Sequence, residues 1–257
     1  MVNILSIPSY DGEINSAIEI ILRKYDQEEK KNLIITATGA HGLVTSKRDT
    51  FFKEILSKSY LNLPDGMPLV WVGRLKGSKE MKRCYGPDFF REVIISTKNK
   101  KIKHFFFGGK EGVAKKLKNV CEEKYGNKNI VGIYSPPFRE MNEEEIKIIA
   151  KEINNQKADI IWIGLSTPKQ EVFAYRLKEY TKAYFICTIG AAFDFHTGNL
   201  KQAPRWIQTA GMEWFFRLLI EPKRLWRRYI NIIPMFIIYN LFEIIKGDFF
   251  NNKSKRC

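Results

Sequence analysis

The sequence predicts an α/β fold in which a largely parallel sheet carries helices on both faces. Two observations predict it. Short apolar runs of strand length recur along the first 200 residues, and segments with a helical spacing of apolar residues lie between them. Strands that alternate with helices pair in parallel, because each helix carries the chain back to the end where the previous strand began. The expected architecture is Rossmann-like, and ligands of such sheets bind beyond the carboxyl ends of the strands.

Five apolar runs are predicted to be buried strands, because they are short and rich in β-branched and aromatic residues. They are NLIIT at 32–36, KHFFFGG at 103–109, NIVGIYS at 129–135, DIIWIG at 159–164 and AYFICTIG at 183–190. Nearly continuous apolar runs are typical of parallel strands that are covered on both faces.

Three segments between these runs are predicted to be helices. EGVAKKLKNVCEEKYG, at 111–126, places its apolar residues on one stripe. NEEEIKIIAKEINNQ begins with Asn142 as an N-cap, followed by acidic residues in the first turn. TPKQEVFAYRLKEY begins with Thr167 as the predicted N-cap and Pro168 as the first helical residue. Such residues are the usual start signals of helices.

Basic charge is concentrated at the end of the chain. From residue 201 onward, eleven Lys or Arg face four Asp or Glu, so this last fifth of the 257 residues holds nearly half of the net charge of +15. Such a bias suits nucleic acid, an anionic membrane surface or a phosphorylated substrate, and the sign of the charge does not choose among them. We predict an α/β catalytic core at 1–200 and a basic, amphipathic helical appendage at 201–257.

The most apolar run, 229–245, has 17 residues and is interrupted by Asn231, Pro234, Asn240 and Glu243. A membrane-spanning helix needs about 20 mainly apolar residues, so we expect this run to be too short. Aromatic and aliphatic residues beside arginines predict a helix that lies in the plane of anionic headgroups. The alternative is a helix that packs on the core with a solvated basic face.

Several classes of site find no support in the sequence. The four cysteines show no CxxC spacing, which argues against a disulfide framework and a zinc site and fits a reduced, cytoplasmic setting. No Asp-x-Asp occurs and the three histidines are far apart, so we expect no metal site and no cofactor. The N-terminus lacks the basic and apolar regions of a signal peptide.

Glycine-containing turns follow two of the predicted strands. Gly108 and Gly109 open the GGKEG turn before a helix, where backbone amides and the positive helix end are able to hold a phosphate. Turn geometry alone also explains these glycines. Gly164 opens GLSTPKQE, and the next helix begins with three polar side chains that we expect to contact a ligand. These are Lys169, Gln170 and Glu171.

Polar residues follow the other strands. Asp194 lies between two phenylalanines, where an ionised carboxylate is costly unless it is hydrogen-bonded, so it is either a binding residue or the cap of a turn. Thr36, Thr38 and His41 lie at the end of NLIIT, and His41 is a general base, a substrate donor or a plain loop histidine. Asp65 stands in a Pro-Asp-Gly turn before an apolar helical segment, which turn chemistry explains without catalysis.

Six of these segments together resemble the WecG/TagA/CpsF family of bacterial glycosyltransferases, glycosyltransferase family 26. The resemblance spans nearly the whole chain, and six motifs in order are a specific signal. The matching segments are LPDGMPLVW, YGPDF, FFFGGKEGVA, GLSTPKQE, GAAFDFHTGNLKQAPRW and GMEWFFRLLIEPKRLWRRY.

The resemblance implies an enzyme that moves a sugar from a UDP-sugar to a polyprenyl (undecaprenyl)-diphosphate-linked saccharide. It implies inversion at the anomeric carbon, no metal, no nucleic acid partner, and a peripheral location on an anionic membrane surface at the cytoplasmic face. A patch covered by the tail is expected to allow self-association into a homo-oligomer when membrane is absent.

The resemblance also assigns expected roles to single residues. Asp65 matches the proposed general base of the family, and Gln170 and Asp194 match positions implicated in holding the donor or the acceptor. The remaining matches are arginines that resemble those proposed to fold over the site and neutralise the diphosphate. They are Arg217, Arg224 and Arg227.

Two departures from the family pattern bear on the substrate. Many relatives carry a Thr-x-Asn after the first strand, whereas this chain has TATGAHG, so Thr36, Thr38 or His41 is expected to contact the sugar instead. The choice between His41 and Asp65 as base, and the identity of the sugar, stay open. The usual Arg-Ala-Pro begins here with Gln202, which removes one cation or leaves its place to Lys201.

Two other functions remain as alternatives. A nucleic-acid-binding protein would use the basic tail with Trp206, Trp214 and Trp226 for stacking on bases. A UDP-sugar hydrolase or epimerase would keep the same loops, although the chain has no GxGxxG for the NAD on which many epimerases depend.

Overall fold

The computed structural model describes residues 1–27 and 32–254, with side chains described to residue 246. The strands are β1 (Val2–Ile4), β2 (Ile7–Ser9), β3 (Leu33–Thr38), β4 (Leu61–Pro64), β5 (His104–Gly108), β6 (Ile130–Tyr134), β7 (Ile160–Gly164) and β8 (Phe185–Thr188). The helices are α1 (Ile14–Asp26), α2 (Ala40–Arg48), α3 (Thr50–Lys58), α4 (Met67–Leu75), α5 (Gly86–Thr97), α6 (Val113–Glu123), α7 (Glu143–Asn155), α8 (Lys169–Leu177), α9 (Ala192–His196), α10 (Arg205–Thr209), α11 (Glu213–Ile220) and α12 (Pro222–Ser254).

Six of the described strands form one parallel sheet in the order β4-β3-β8-β7-β5-β6, and β1 and β2 form a separate antiparallel pair. The predicted α/β class is confirmed, and all five predicted strands are present with slightly different ends. The sequence prediction missed β4, which has only four residues and ends in proline, and the short pair β1 and β2.

Helices cover both faces of the sheet. On one face, α1, α5 and α6 pack with residues such as Ile21, Phe90 and Leu117 against the sheet. On the other face, α7 and α8 contribute residues such as Ile149 and Phe173. The two apolar layers leave the loops at the strand ends as the main polar surface of the core, which is where a ligand site is expected.

Of two predicted N-caps, one is confirmed and one is wrong. Asn142 caps α7 as predicted, with a complete capping box in which its side chain accepts from the Glu145 amide at 2.9 Å. Thr167 does not cap α8, because that helix begins at Lys169 after Pro168. The Thr167 hydroxyl instead donates to the Glu171 carboxylate at 2.9 Å.

The C-terminal helices α10 to α12 pack along one side of the core. Ile232 and Phe236 of α12 are buried in a third apolar cluster with Leu43 and Phe52 from α2 and α3. Farther along α12, Glu243 forms an ion pair with Lys76. One face of α12 therefore lies against the protein.

The same helix is long and apolar enough, by length and composition, to cross a membrane. Within Pro222–Lys246, the most apolar stretch of 18 residues has a mean hydropathy of 1.3, and 11% of that stretch is buried. The sequence prediction counted only the apolar run and judged it too short, whereas the helix also continues through the arginines that precede that run. In the structure, however, Ile232, Phe236 and Glu243 make the contacts of a helix that is docked on its own core.

Candidate active site

A cavity of about 1870 Å³ opens at the carboxyl ends of the sheet strands. Its walls are the loops after β3, β4, β5, β6, β7 and β8, and α11 and α12 close one side. Nine residues predicted from the sequence line it: His41, Asp65, Gly109, Gly164, Lys169, Gln170, Asp194, Arg217 and Arg224. Parallel strands bring these loops together although they are far apart in the chain.

Asp65 follows β4 and is half-buried at the cavity wall. Its Oδ1 accepts a hydrogen bond from the Gly86 amide at 2.8 Å, at the first residue of α5, where the positive helix end stabilises a carboxylate. A Cβ at position 86 would lie 3.1 Å from the Ile189 carbonyl oxygen, so glycine allows the start of α5 to lie this close to the loop after β8. Burial raises the pKa of Asp65, while Arg83 and Arg217 act in the opposite direction.

His41 lies in the first turn of α2 and also lines the cavity. Burial, together with the positive charge of Arg228, lowers the pKa of His41 to about 4. The imidazole is therefore neutral near pH 7 and is a weak base, because a base with a low pKa accepts protons poorly. Neutral imidazole still offers one donor and one acceptor to a ligand.

Thr36 and Thr38 do not line the cavity. Both side chains are buried, their hydroxyl oxygens lie 2.6 Å apart, and the Thr36 hydroxyl donates to the Asn62 side chain at 2.7 Å. Asn62 in turn donates to the carbonyl oxygen of Leu56 at 2.8 Å. These contacts join β3 to β4 beneath the site, so the two threonines have no free hydroxyl at the cavity wall.

The glycines after β5 and β7 bring two strand ends close together. Gly108 has a φ of 137°, and a Cβ there would lie 2.5 Å from the carbonyl oxygen of Gly164. Gly109 donates from its amide to the same oxygen at 3.2 Å. Gly108 is buried behind the wall, whereas Gly109 and Gly164 line the cavity. Since α6 and α8 leave on opposite faces of the sheet, a crevice opens between these two loops.

Gln170 connects two of the loops. Its Oε1 accepts from the Gly190 amide at 2.9 Å, and its Nε2 donates to the Glu171 carboxylate at 2.9 Å. Glu171 is buried behind the wall, its Oε2 has no hydrogen-bond partner, and burial raises its pKa to about 7. Lys169 is exposed at the cavity. In the geometry described, Gln170 holds the loop after β8 in place.

Asp194 faces the cavity from the short helix α9. Phe193 beside it is buried, while Asp194 itself is half-buried and accepts a hydrogen bond from the Asn199 side chain at 3.3 Å. The helix turns the two side chains in different directions. The Asp194 carboxylate therefore faces the cavity and is not enclosed by apolar side chains as its two neighbouring phenylalanines suggested.

The arginines of the C-terminal helices differ in their orientation. Arg217 of α11 and Arg224 of α12 line the cavity, as does Arg228 one turn after Arg224. Arg227 is exposed outside the cavity lining, with its guanidinium 5.3 Å from the ring centre of Trp226. Residues four apart on a helix share a face, so Arg228 lies in line with Ile232 and Phe236, which also line the cavity, whereas Arg227 does not.

The positive charge of this cluster is only partly compensated. The Glu221 carboxylate pairs with Arg224 at 2.6 Å and with Arg217 at 3.7 Å. Arg228 is half-buried, and its Nε is buried without a hydrogen-bond partner. Burial lowers the pKa of Arg228, and the charges of Arg217 and Arg224 add to that effect. Such a cluster favours an anion with several oxygens, such as a diphosphate.

Comparison with known proteins agrees with this geometry. Residues 2–248 match the model of the glycosyl transferase WecG/TagA/CpsF family. The chain belongs to this family. It is an enzyme of the glycosyltransferase class, and the expected resemblance is confirmed over nearly the whole chain.

Two relatives illustrate the similarity to this glycosyltransferase. One, from Bacillus subtilis (strain 168), is an N-acetylglucosaminyldiphosphoundecaprenol N-acetyl-beta-D-mannosaminyltransferase that is 29% identical over 227 residues, 88% of this chain and 86% of the relative. The other carries the same name, comes from Bacillus spizizenii (strain ATCC 23059 / NRRL B-14472 / W23) and is 27% identical over 223 residues, 86% of this chain and 84% of the relative.

Among the cavity-lining residues that were not predicted are Arg83, Tyr85 and Arg228. Arg83 and Tyr85 lie beside Asp65, and both contact Glu213 at the start of α11. Tyr85 begins the YGPDF motif and Arg83 lies two residues before it, which was the available signal. Arg228 was also missed, because the break between α11 and α12 hides which arginine faces inward.

The rim of the cavity in this glycosyltransferase is apolar and exposed. Trp71 and Leu75 of α4 are 47% and 76% exposed, and Ile237 and Leu241 of α12 are 53% and 54% exposed. All four line the mouth of the cavity. Exposed apolar side chains gathered in one place mark a surface that meets an apolar partner. The two relatives are named for a substrate that is linked through a diphosphate to undecaprenol.

Metal ligands do not cluster in the part of the chain that is described. Among the side chains of residues 1–27 and 32–246, no group of three or more His, Cys, Asp or Glu is arranged to hold a metal ion. Cys84, Cys121 and Cys187 are buried and free, and Cys257 lies outside the described residues.

Proposed function

We propose that the protein transfers a sugar from a UDP-sugar to a polyprenyl-diphosphate-linked saccharide, with inversion and without a metal, in the synthesis of a bacterial cell-surface polysaccharide or teichoic acid. The observation that carries the proposal is that one cavity is lined both by Asp65 and by Arg217, Arg224 and Arg228. A base and a cationic diphosphate site are the two elements that such a transfer needs.

Asp65 acts as the general base. It accepts the proton of an acceptor hydroxyl while that oxygen forms a bond to the anomeric carbon, and the bond from this carbon to the UDP oxygen breaks on the opposite side. The bond electrons leave with UDP, so the configuration inverts. Burial supports this role, because it raises the pKa of Asp65 and a carboxylate with a raised pKa is a stronger base. His41 is the weaker choice, since its pKa is lowered to about 4.

The arginines compensate the charge that develops on the leaving diphosphate. Guanidinium groups donate paired hydrogen bonds to phosphate oxygens, and a preorganised cluster lowers the barrier for departure of an anion. Arg228 suits this task because its Nε is unpartnered and it forms no ion pair with a carboxylate among the described residues, whereas Glu221 already pairs with Arg224. Lys169 offers a further donor at the cavity.

We further propose that the donor is UDP-N-acetylmannosamine and the acceptor N-acetylglucosaminyl-diphosphoundecaprenol. Support comes from the names of the two Bacillus relatives, which align with most of this chain. Many family members carry an asparagine after the first strand, where this chain has TATGAHG. Of Thr36, Thr38 and His41 only His41 lines the cavity, so we expect it to influence the donor preference most.

The protein works on the cytoplasmic face of the cell membrane as a peripheral enzyme. In this proposal, residues 1–200 bind the donor and residues 201–257 contact anionic lipid and close the site. The exposed apolar rim and the exposed Arg227 support it, because an interfacial helix gains from apolar burial and from anionic headgroups together.

The test is mass spectrometry of the products from a panel of UDP-sugars with short polyprenyl-diphosphate saccharides and anionic vesicles. We expect one N-acetylhexosamine to be added to the acceptor without added metal and in the presence of EDTA. Release of free sugar alone, or an epimerised UDP-sugar with no transfer, would contradict the proposal. Preferential, salt-sensitive binding of oligonucleotides would instead favour a nucleic-acid function.

A further inference from the structure

We propose that Glu213, the first residue of α11, is a positioning residue for Asp65 and acts through Arg83. It holds the Arg83 guanidinium away from the Asp65 carboxylate, so that docking of the C-terminal helices leaves the base free to accept a proton. The inference rests on the proposed function, because it takes Asp65 as the base.

The contacts form a short chain from the C-terminal helices to Asp65. Arg83 and Glu213 form an ion pair with side chains only 14% and 12% exposed. The Tyr85 hydroxyl donates to the other Glu213 oxygen at 2.7 Å. Arg83 also donates through Nε to the backbone carbonyl of Asp65 at 2.6 Å. One guanidinium therefore joins α11 to the residue that carries the base.

Two groups from the C-terminal helices and one aromatic ring fix this guanidinium. Gln208 of α10 accepts from Arg83 at 3.4 Å, and the guanidinium carbon lies 4.0 Å from the centre of the Tyr85 ring. Gln208 thus binds one terminal nitrogen of Arg83 and Glu213 binds the other. If α10 and α11 leave the core, Arg83 loses its carboxylate partner while it remains beside Asp65. A buried guanidinium without a partner pairs with the nearest carboxylate.

Only a few charged or titratable groups surround the Asp65 carboxyl. Arg83 and Arg217 favour its ionised form, and Glu213 favours its neutral form. Cys84 and Tyr85 are also within electrostatic range, but burial raises the pKa of both, so they stay neutral near pH 7. Glu213 is thus the negative charge that offsets the two arginines at this base. Removal of that charge lowers the pKa of Asp65 and leaves Arg83 free to pair with it.

The test measures the pH dependence of kcat/KM for Glu213→Gln in the full chain with vesicles. The acid limb reports ionisation of the base, so we expect it to move to lower pH, and we expect the plateau to fall about tenfold or more as Arg83 pairs with Asp65. Glu243→Gln is the matched control, because Glu243 also ties the C-terminal helices to the core, through Lys76, but lies at the β1 end of the molecule. Its acid limb is expected to stay in place.

Equal losses in Glu213→Gln and Glu243→Gln, with both acid limbs unmoved, would overturn the inference, because Glu213 would then only attach the helices. If Glu213→Gln does not fold, Glu213→Ala removes the same negative charge with a smaller side chain, and an unmoved acid limb in that variant overturns the inference as well. Asp65→Asn separates the two proposals. Normal turnover by Asp65→Asn removes the proposed function, whereas an inactive Asp65→Asn with an unmoved limb in the Glu213 variants removes this inference alone.

Discussion

Arg228 of α12 acts on His41 of α2 inside the cavity, where its positive charge adds to burial in lowering the pKa of His41 to about 4. The C-terminal helices thus affect the electrostatics of a residue of the core. A site that combines a neutral imidazole, a carboxyl with a raised pKa and three arginines facing the cavity is suited to bind an anion.

Asp65→Asn is expected to fold normally and to lose sugar transfer by a factor of about a hundred or more, since a general base contributes about 10² to 10⁴ in rate. The measurement is turnover with the acceptor and vesicles, with circular dichroism as the check on folding. Asp88→Asn is the control, because Asp88 pairs with Arg91 and Arg205 outside the cavity lining. Transfer at the normal rate by Asp65→Asn would exclude Asp65 as the base.

Arg228→Ala is expected to weaken UDP binding by about tenfold, the loss of one hydrogen bond to a charged group, whereas Arg227→Ala leaves it nearly unchanged. The two arginines are neighbours on one helix and carry the same charge, so the pair controls for net charge. Calorimetric titration of each variant with UDP in the presence of vesicles gives the two affinities. An equal loss in both would show that orientation on α12 does not matter.

The titration of His41 provides a test of its electrostatic interaction with Arg228. Replacement of Arg228 by Ala removes a positive charge, so we expect the pKa of His41 to rise from about 4 towards its ordinary value of 6.5. Bound UDP is expected to act in the same direction, because a negative charge stabilises the imidazolium. Proton NMR of the His41 ring over a pH series measures both shifts. A pKa that stays fixed in Arg228→Ala would contradict the interaction.

Leu241→Ser together with Leu75→Ser is expected to reduce binding to anionic vesicles several-fold, since each side chain loses apolar burial in the membrane. Binding of water-soluble UDP should not change. Ile148→Ser is the control, because Ile148 is 68% exposed on α7, away from the cavity rim. Vesicle cosedimentation gives the comparison, and an equal loss in the control would argue against a specific membrane face.

The layout of the core was predictable because its strands are buried on both faces and therefore apolar without interruption. Strand β4 lacks that length, so its position beside β3, which delivers Asp65 to the cavity, was not expected. Thr36 and Thr38 illustrate another limit. Their polar side chains bond to each other and to Asn62, a residue of the unpredicted strand, so only the structure explains why they are buried.

The inward arginines were predictable as a group but not one by one. The sequence predicts which face a residue lies on only within one continuous helix. The helix is interrupted between α11 and α12 at Glu221, whose backbone has φ −126° and ψ 55°. After the break the phase starts anew, which brings Arg228 and not Arg227 to the cavity. The pairing of Arg83 with Glu213 joins residues 130 positions apart, and no periodicity reports a contact at that separation.

The Glu243 carboxylate accepts from the backbone amides of Leu5 and Ser6, at 2.9 and 3.2 Å. One side chain thus joins segments that lie 238 residues apart in the sequence. During synthesis Leu5 and Ser6 are made long before their acceptor. We expect the pair of strands β1 and β2 to acquire its final contacts only after α12 has been made.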